Sequence, residues 1–307
     1  MAIETPPQLP FIPSRILQLE EGYLAIGHDG EILRLNPNLS YSDEPVNPFP
    51  ISIDHACIIG NNLVATWLDA ELMLARMALI NLDNKFIEGP TRSDLRIQKS
   101  LKTALHPAGN TWSRVLYSQT LALTTDGQRI AFVLLNQGVY CLNADSSEIW
   151  RSPPPVWPEV SNMPRGDETV CMDFIDSEIH IWCAAGGRLV LDADDGTIIR
   201  NEVIEIDAVV EKVYRESQHE LICSNNGEAF HLTDNELRMQ TNITGPIQNA
   251  IWDYASGAWR ISGWRKEVLL LDQPTVCEYS EIPVHCLNID GQWWNLFNDG
   301  NWKLSNL

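Results

Sequence analysis

Short apolar runs, broken at intervals by Gly, Asp and Asn, fill most of this 307-residue chain. Runs of that length bounded by turn residues read as β-strands. The same turn recurs. Asp29-Gly30, Gln137-Gly138, Gly186-Gly187, Asn226-Gly227 and Asp299-Gly300 each lead into a run rich in Leu, and Ala70-Glu71 and Arg265-Lys266 do so without the Gly. A strand-like run precedes each turn, at residues 23–27, 62–67, 129–134, 179–183, 221–223, 258–262 and 292–297. These pairs read as hairpins, because a tight hairpin turn needs a residue at positive φ and Gly takes it without steric cost.

Another apolar run lies upstream of each hairpin, at 15–19, 54–59, 120–124, 168–174, 208–214, 247–252 and 285–289. A more polar run follows some of them, at 196–200 and 236–240. Four antiparallel strands in a repeat of roughly forty residues make one propeller blade. The chain is therefore expected to be all-β, a single seven-bladed β-propeller over residues 1–307 with four-stranded antiparallel blades. The last unit has room for three strands, so the N-terminal segment before Arg15 is expected to close the last blade and leave no free sheet edge. Two insertions exceed the repeat, at about 88–112 and 151–167, and they leave six or eight blades as alternatives.

Two blade endings are more specific. Leu142-Asn143-Ala144-Asp145 followed by Trp150, and Leu191-Asp192-Ala193-Asp194-Asp195-Gly196, resemble the repeat of quinoprotein-like (PQQ-type) propellers, in which a strand, an Asp-Ala-x-x-Gly turn and a Trp recur. That resemblance implies a tightly packed Ala, a turning Gly and a Trp docked between blades; it covers about two blades, and Arg200 stands where the second Trp belongs. The exported quinoprotein dehydrogenases of that family carry a calcium site and a disulfide of neighbouring cysteines, and the sequence shows neither. WD40-like propellers are the other comparison, with Trp252-Asp253 as a lone instance of their signature pair.

With 41 acidic and 21 basic side chains the formal charge is -20, which repels nucleic acid and anionic membrane surfaces and favours a basic protein partner. No run reaches the length of a membrane span. Residues 1–7 lack the basic and apolar regions of a secretory signal. Seven cysteines without a C-x-x-C pair suit reduced, buried thiols, and a cytoplasmic location is expected.

No Ser, His, Asp or Cys arrangement commits to catalysis, and neither a metal nor another cofactor is expected. His55 with Cys57 and His285 with Cys286 occupy corresponding strand positions that face the channel, where a zinc site is the minor alternative to core packing. Candidate binding residues sit on the turns, since loops held by a rigid ring carry function: His28, Asp29, Trp67, Asp69, Trp264, Arg265, Lys266, Asn298 and Asp299, with Asn136 on the same face. Trp264-Arg265-Lys266 sets an aromatic beside two cations, as at binding contacts. In the first insertion Arg92, Arg96, Lys99 and Lys102 form a basic stretch. Its spacing of Ile97, Leu101, Ala104 and Leu105 predicts a short amphipathic helix capped by Ser93, which would dock or cover an anionic partner. In the second insertion a Pro-rich run surrounds Trp157, either a partner anchor or a packed side chain. The functional expectation is a non-enzymatic protein-interaction scaffold or a subunit of a larger assembly. The alternative is an enzyme or small-ligand binder at the mouth of the channel. A third reading gives the Trp-rich last blade (Trp293, Trp294, Trp302) an oligomer interface.

Overall fold

The structure, a computed structural model, describes residues 5–101, 104–234 and 236–307, with the side chains of all of these except 98–101. It forms seven antiparallel sheets, in agreement with the seven-bladed reading. Blade 1 holds β1 (Pro13–Gln18), β2 (Tyr23–Gly27) and β3 (Ile32–Leu35). Blade 2 holds β4 (Ile53–Ile59), β5 (Asn62–Asp69), β6 (Leu74–Asn81) and, after helix α1 (Arg92–Leu101), β7 (Asn110–Leu116). Blade 3 is β8 (Thr120–Thr125), β9 (Arg129–Leu134), β10 (Gly138–Asn143) and β11 (Glu148–Ser152). Blade 4 is β12 (Thr169–Ile175), β13 (Glu178–Cys183), β14 (Gly187–Asp192) and β15 (Ile198–Val203). Blade 5 is β16 (Val210–Glu216), β17 (His219–Ser224), β18 (Glu228–Thr233) and β19 (Glu236–Asn242). Blade 6 is β20 (Asn249–Asp253), β21 (Ala258–Gly263), β22 (Lys266–Leu270) and β23 (Thr275–Glu278), and blade 7 is β24 (Pro283–Ile289), β25 (Gln292–Phe297) and β26 (Trp302–Leu304).

The first strands of the blades form a closed circuit. β1 lies against β4, β4 against β8, and so on through β12, β16, β20 and β24, which returns to β1. Strands two and three of each blade are the most deeply buried and the fourth strands face outward, as β15 shows with four consecutive exposed residues. This is why the inner runs stand out in every blade while fourth strands stand out in the sequence only at 196–200 and 236–240, the places of β15 and β19: an outer strand covered on one face carries little hydrophobic signal.

The hairpin glycines have a second reason to be Gly. Gly30, Gly138, Gly186, Gly227 and Gly300 all have positive φ, between 81° and 129°. A Cβ on each would also strike a passing carbonyl: Ile51 O at 2.3 Å from Gly30, Ser152 O at 2.2 Å from Gly138, Ile204 O at 2.6 Å from Gly186, Gly245 O at 2.3 Å from Gly227 and Leu9 O at 2.6 Å from Gly300. Leu9 thus holds in blade 7 the place that Ile204 holds in blade 4. Its N–H donates to Gly300 O at 2.9 Å, as the Ile204 N–H donates to Gly186 O at 3.0 Å.

The N-terminal segment accordingly reaches the outer place of the last blade, but its described residues form no strand there. The register of the fourth blade, carried over, sets Pro7 opposite Trp302, where the ladder needs an N–H that Pro lacks. Packing replaces the ladder. Leu9 is buried with Ile16, Leu33, Leu35, Trp294, Leu296 and Trp302 in one cluster that joins blade 7 to blade 1. Blade 1 also lacks a fourth strand; a single bridge between Ile32 and Val46 stands in for it.

Five of the other six joints between blades are apolar clusters of the same kind. The joint between blades 6 and 7 differs, being built around buried charge. Arg260 donates to Asp253 at 3.0 Å, Glu267 at 2.9 Å and the Leu307 carbonyl at 2.9 Å, and it lies over the Trp293 ring. Glu267, fully buried, also accepts from Tyr279, Asn295 and Ser305. Two outcomes follow. Leu9→Ala removes a buried contact at the seam and is expected to cost about 2–4 kcal/mol by denaturant unfolding. Arg260→Met leaves Glu267 and Asp253 buried without their cation and is expected to cost about 3–5 kcal/mol in the same measurement.

Candidate functional site

Each blade's chain enters its inner strand on the face that also carries the second hairpin turn, so one face of the disc collects both sets of connections. The opposite face is made mostly of short turns such as Gly60-Asn61, Asp176-Ser177 and Asp290-Gly291. The entry face holds residues 153–168 before blade 4 and 204–209 before blade 5, while the longest connection, 82–109, leaves β6 and rejoins β7 on the opposite face and sends α1 back to Asp69 and Glu71 on the entry face.

At the entry, six of the seven inner strands shift register by one residue: at Pro13/Arg15, Ile53/His55, Thr120/Ala122, Thr169/Cys171, Val210/Lys212 and Pro283/His285. A bulge re-aims the side chain that follows it. Arg15, His55, Ala122, Cys171, Lys212 and His285 therefore occupy one level around the channel, and Asn249 supplies the seventh place. Sequence reasoning noticed the correspondence of His55 and His285 but missed Arg15 and Lys212, which the same alignment of repeats would have found.

The polar members of this level staple blade to blade. Arg15 donates to the carbonyls of Asp54 (3.0 Å) and Ile53 (3.5 Å). The His55 Nε2 lies 3.1 Å from Thr120 O, and Lys212 donates to Ile247 O (3.0 Å) and Gln248 O (3.3 Å). Asn249 Oδ1 accepts from the Cys286 N–H at 3.3 Å. Burial pulls Arg15 and Lys212 below their ordinary values and His285 down to about 4. It pushes the Cys57, Cys171 and Cys286 thiols up to about 12, so none is a ready nucleophile. Among the described residues no three His, Cys, Asp or Glu converge as a metal site. His55, Cys57, His285 and Cys286 thus read as inter-blade packing.

The turn residues separate into three groups. Trp67 and Trp157 were candidates for partner contacts, and both are buried: Trp67 packs edge-on to Phe49 with ring centres 5.9 Å apart, and Trp157 lies in the joint of blades 3 and 4. A Cβ on Gly187 would meet Trp157 at 2.5 Å, so the Gly leaves room for the indole. The Trp-rich last blade likewise hides Trp294 and Trp302 in its core.

The second group forms a cavity of about 560 Å³ between blades 1 and 2, lined by His28, Asp29, Asp69, Glu71 and Arg92 among others. Arg92 is not free for an anion, because it pairs with the buried Asp69 at 2.8 Å and with Glu71 at 3.2 Å. The helix begins two residues earlier than a Ser93 cap would place it. Thr91, not Ser93, caps it: the Asp94 N–H donates to Thr91 Oγ1 (3.2 Å) and the Thr91 N–H to Asp94 Oδ2 (2.8 Å). The helix buries Leu95 in the joint of blades 1 and 2, and Ala104 and Leu105 lie beyond its end. Arg96 is exposed. The Lys99 side chain and Lys102 lie outside the described residues.

The third group stands on blades 6 and 7. Trp264 is 47% exposed, rests on Gly245, and has the Arg265 guanidinium 5.9 Å from its ring centre. Lys266 faces Glu278 at 3.8 Å. Asn298 ties its turn to the connection before β24, accepting from the Ile282 N–H, and Asp299 serves its own turn, accepting from Asn301.

A larger groove was not anticipated. About 950 Å³ opens between blades 4 and 5, walled by Met163, Arg165, Glu168 and Val170 on one side and by Ile206, Asp207, Ala208, Val209 and Glu211 on the other. Its walls are tied down: the Val210 N–H donates to Ala184 O (2.8 Å), Ala184 to Glu168 O (2.9 Å) and Ala185 to Gly166 O (2.9 Å). Trp157, buried just upstream, anchors the segment that forms one wall.

No protein-family model and no curated protein matches the sequence. Among solved structures, the fold is similar to the WD40 β-propeller domain of Doa1, with a TM-score of 0.65 and 11% identity over 99% of this chain and 96% of that one. It is similar to BamB from Moraxella catarrhalis at TM-score 0.63 and 11% identity, over 97% and 98% of the two chains. It is also similar to the β-propeller domain of Myceliophteria thermophila Cps50 (Swd1) at 0.67 and 9% identity, again over 97% and 98%. The likeness spans both kinds of propeller that the repeat resembles, and it concerns the fold. Among the described residues no helix is long and apolar enough to cross a membrane.

The buried histidines give a pH signature. Burial, with His219 and Arg238 adding to it, pulls His231 to about 4, as burial alone does His285. Both are neutral in the folded chain at pH values where the unfolded chain binds protons. Their contribution is therefore complete above about pH 6.5 and is lost as pH falls towards 4. Urea unfolding across that window is expected to show a loss on the order of 2 kcal/mol per histidine, and His285→Gln is expected to flatten the profile.

Proposed function

We propose that the protein is a non-enzymatic interaction scaffold that binds a protein partner on its entry face. The observation that carries this reading is the asymmetry of the disc: the connections 153–168 and 204–209, the exposed Trp264-Arg265 pair and the groove of about 950 Å³ lie on that face, against mostly short turns and a smaller cavity of about 560 Å³ on the other. A rigid ring that holds irregular loops at one end is the usual layout of a recognition surface. The charge of -20 favours a basic partner and disfavours nucleic acid. The structural neighbours include a WD40 domain, which supports a protein-binding role by analogy of fold.

Affinity capture from the cells that make the protein tests this. The tagged wild type is expected to retain a protein partner, Trp264→Ala to reduce its recovery about tenfold, and Tyr254→Ala on the opposite face to leave it unchanged. Recovery of the wild type alone, or equal loss from both faces, would contradict the proposal.

A further inference from the structure

The groove between blades 4 and 5 combines two features that the rest of the entry face does not bring together. Its walls are apolar and partly bare: Met163 is 53% exposed and Val209 52%, flanking Val170, Ala184 and Ala208. Its rim is acidic. Glu168, Asp207 and Glu211 line it against a single cation, Arg165, which is already held by Glu168 at 2.7 and 3.2 Å. The neighbouring Lys212 points away, committed to the carbonyls of Ile247 and Gln248.

The bare apolar side chains favour an occupant with an apolar group, and the acidic rim disfavours an anionic one. Backbone hydrogen bonds from both walls into the hairpin turns fix the groove's width, so an occupant would meet a preformed site at little ordering cost. On these grounds we propose that this groove docks a segment of a basic protein partner, with one apolar side chain seated between Met163 and Val209 and flanking Lys or Arg side chains paired with Asp207 and Glu211. The assignment rests on the scaffold reading and names the chemistry of its partner. It also gives the second insertion a role: Trp157 is buried so that the residues after it can form a wall.

Fluorescence anisotropy with a pool of synthetic nonapeptides tests it, each carrying a central Leu, Met, Phe or Trp between two pairs of Lys or Arg. The pool is expected to bind the full chain with a Kd of about 10–100 μM that weakens several-fold between 50 and 300 mM salt, as screened charge requires. Asp207→Lys is expected to weaken it at least tenfold, and the surface pair Met163→Ser with Val209→Ser at least fivefold. Tyr254→Ser, on the opposite face, is expected to change nothing, and unchanged thermal midpoints establish that the variants fold. Absence of binding would overturn the assignment. So would equal binding of a pool with Ser at the centre, which would reduce the effect to bulk charge. If the peptides fail while Trp264→Ala still reduces partner capture, this groove is not the site and the scaffold reading stands.

Discussion

Closure of the ring is the constraint on which everything else depends. A blade is a small sheet whose two faces are both apolar, and no blade can cover its own faces; each needs a neighbour on either side, so the stack is stable only when the last blade meets the first. Here that meeting is made by side chains more than by strand pairing. Leu9 packs against Trp302 and holds one backbone bond to Gly300, while Pro6 and Pro7 deny the outer place of blade 7 a regular ladder. The joint next to it depends on Arg260 and the buried Glu267. The two irregular joints thus flank blade 7, which identifies it as the part of the ring most sensitive to substitution.

The same demand explains why the conspicuous residues are not the functional ones. Histidines and cysteines at equivalent inner-strand positions look like a constellation in the sequence. In the fold His55 and His285 lie at one level of the channel because a bulge recurs there, and the His55 ring is spent on the Thr120 carbonyl of the adjoining blade. Tryptophans on connections look like anchors for a partner, and Trp67 and Trp157 are anchors for the chain itself.

Much of the fold was legible because hairpins are local: the turn Gly, its positive φ and the flanking apolar runs lie within a dozen residues of one another. The Gly positions carried more than the turn, since at each of them a distant carbonyl passes where a Cβ would be, which no local pattern reveals. The outer strands were faint because one exposed face leaves a mixed composition. The site was less legible for a geometric reason. Residues 163–170 and 204–211 are separated in the chain and meet only because blades 4 and 5 are adjacent, and neither stretch is unusual alone. Arg92 shows the converse: its basic stretch drew attention in the sequence, yet Asp69 neutralises it in the structure.

An acidic disc with one irregular face is then a surface on which regularity supplies rigidity and the breaks in the repeat supply recognition. Hydrogen–deuterium exchange on the complex with its captured partner tests that division most directly. The account predicts slowed exchange confined to entry-face segments, foremost 163–170, 184–185 and 204–211, with the opposite-face turns unchanged. Protection centred on the opposite-face turns or on the outer strands would contradict it.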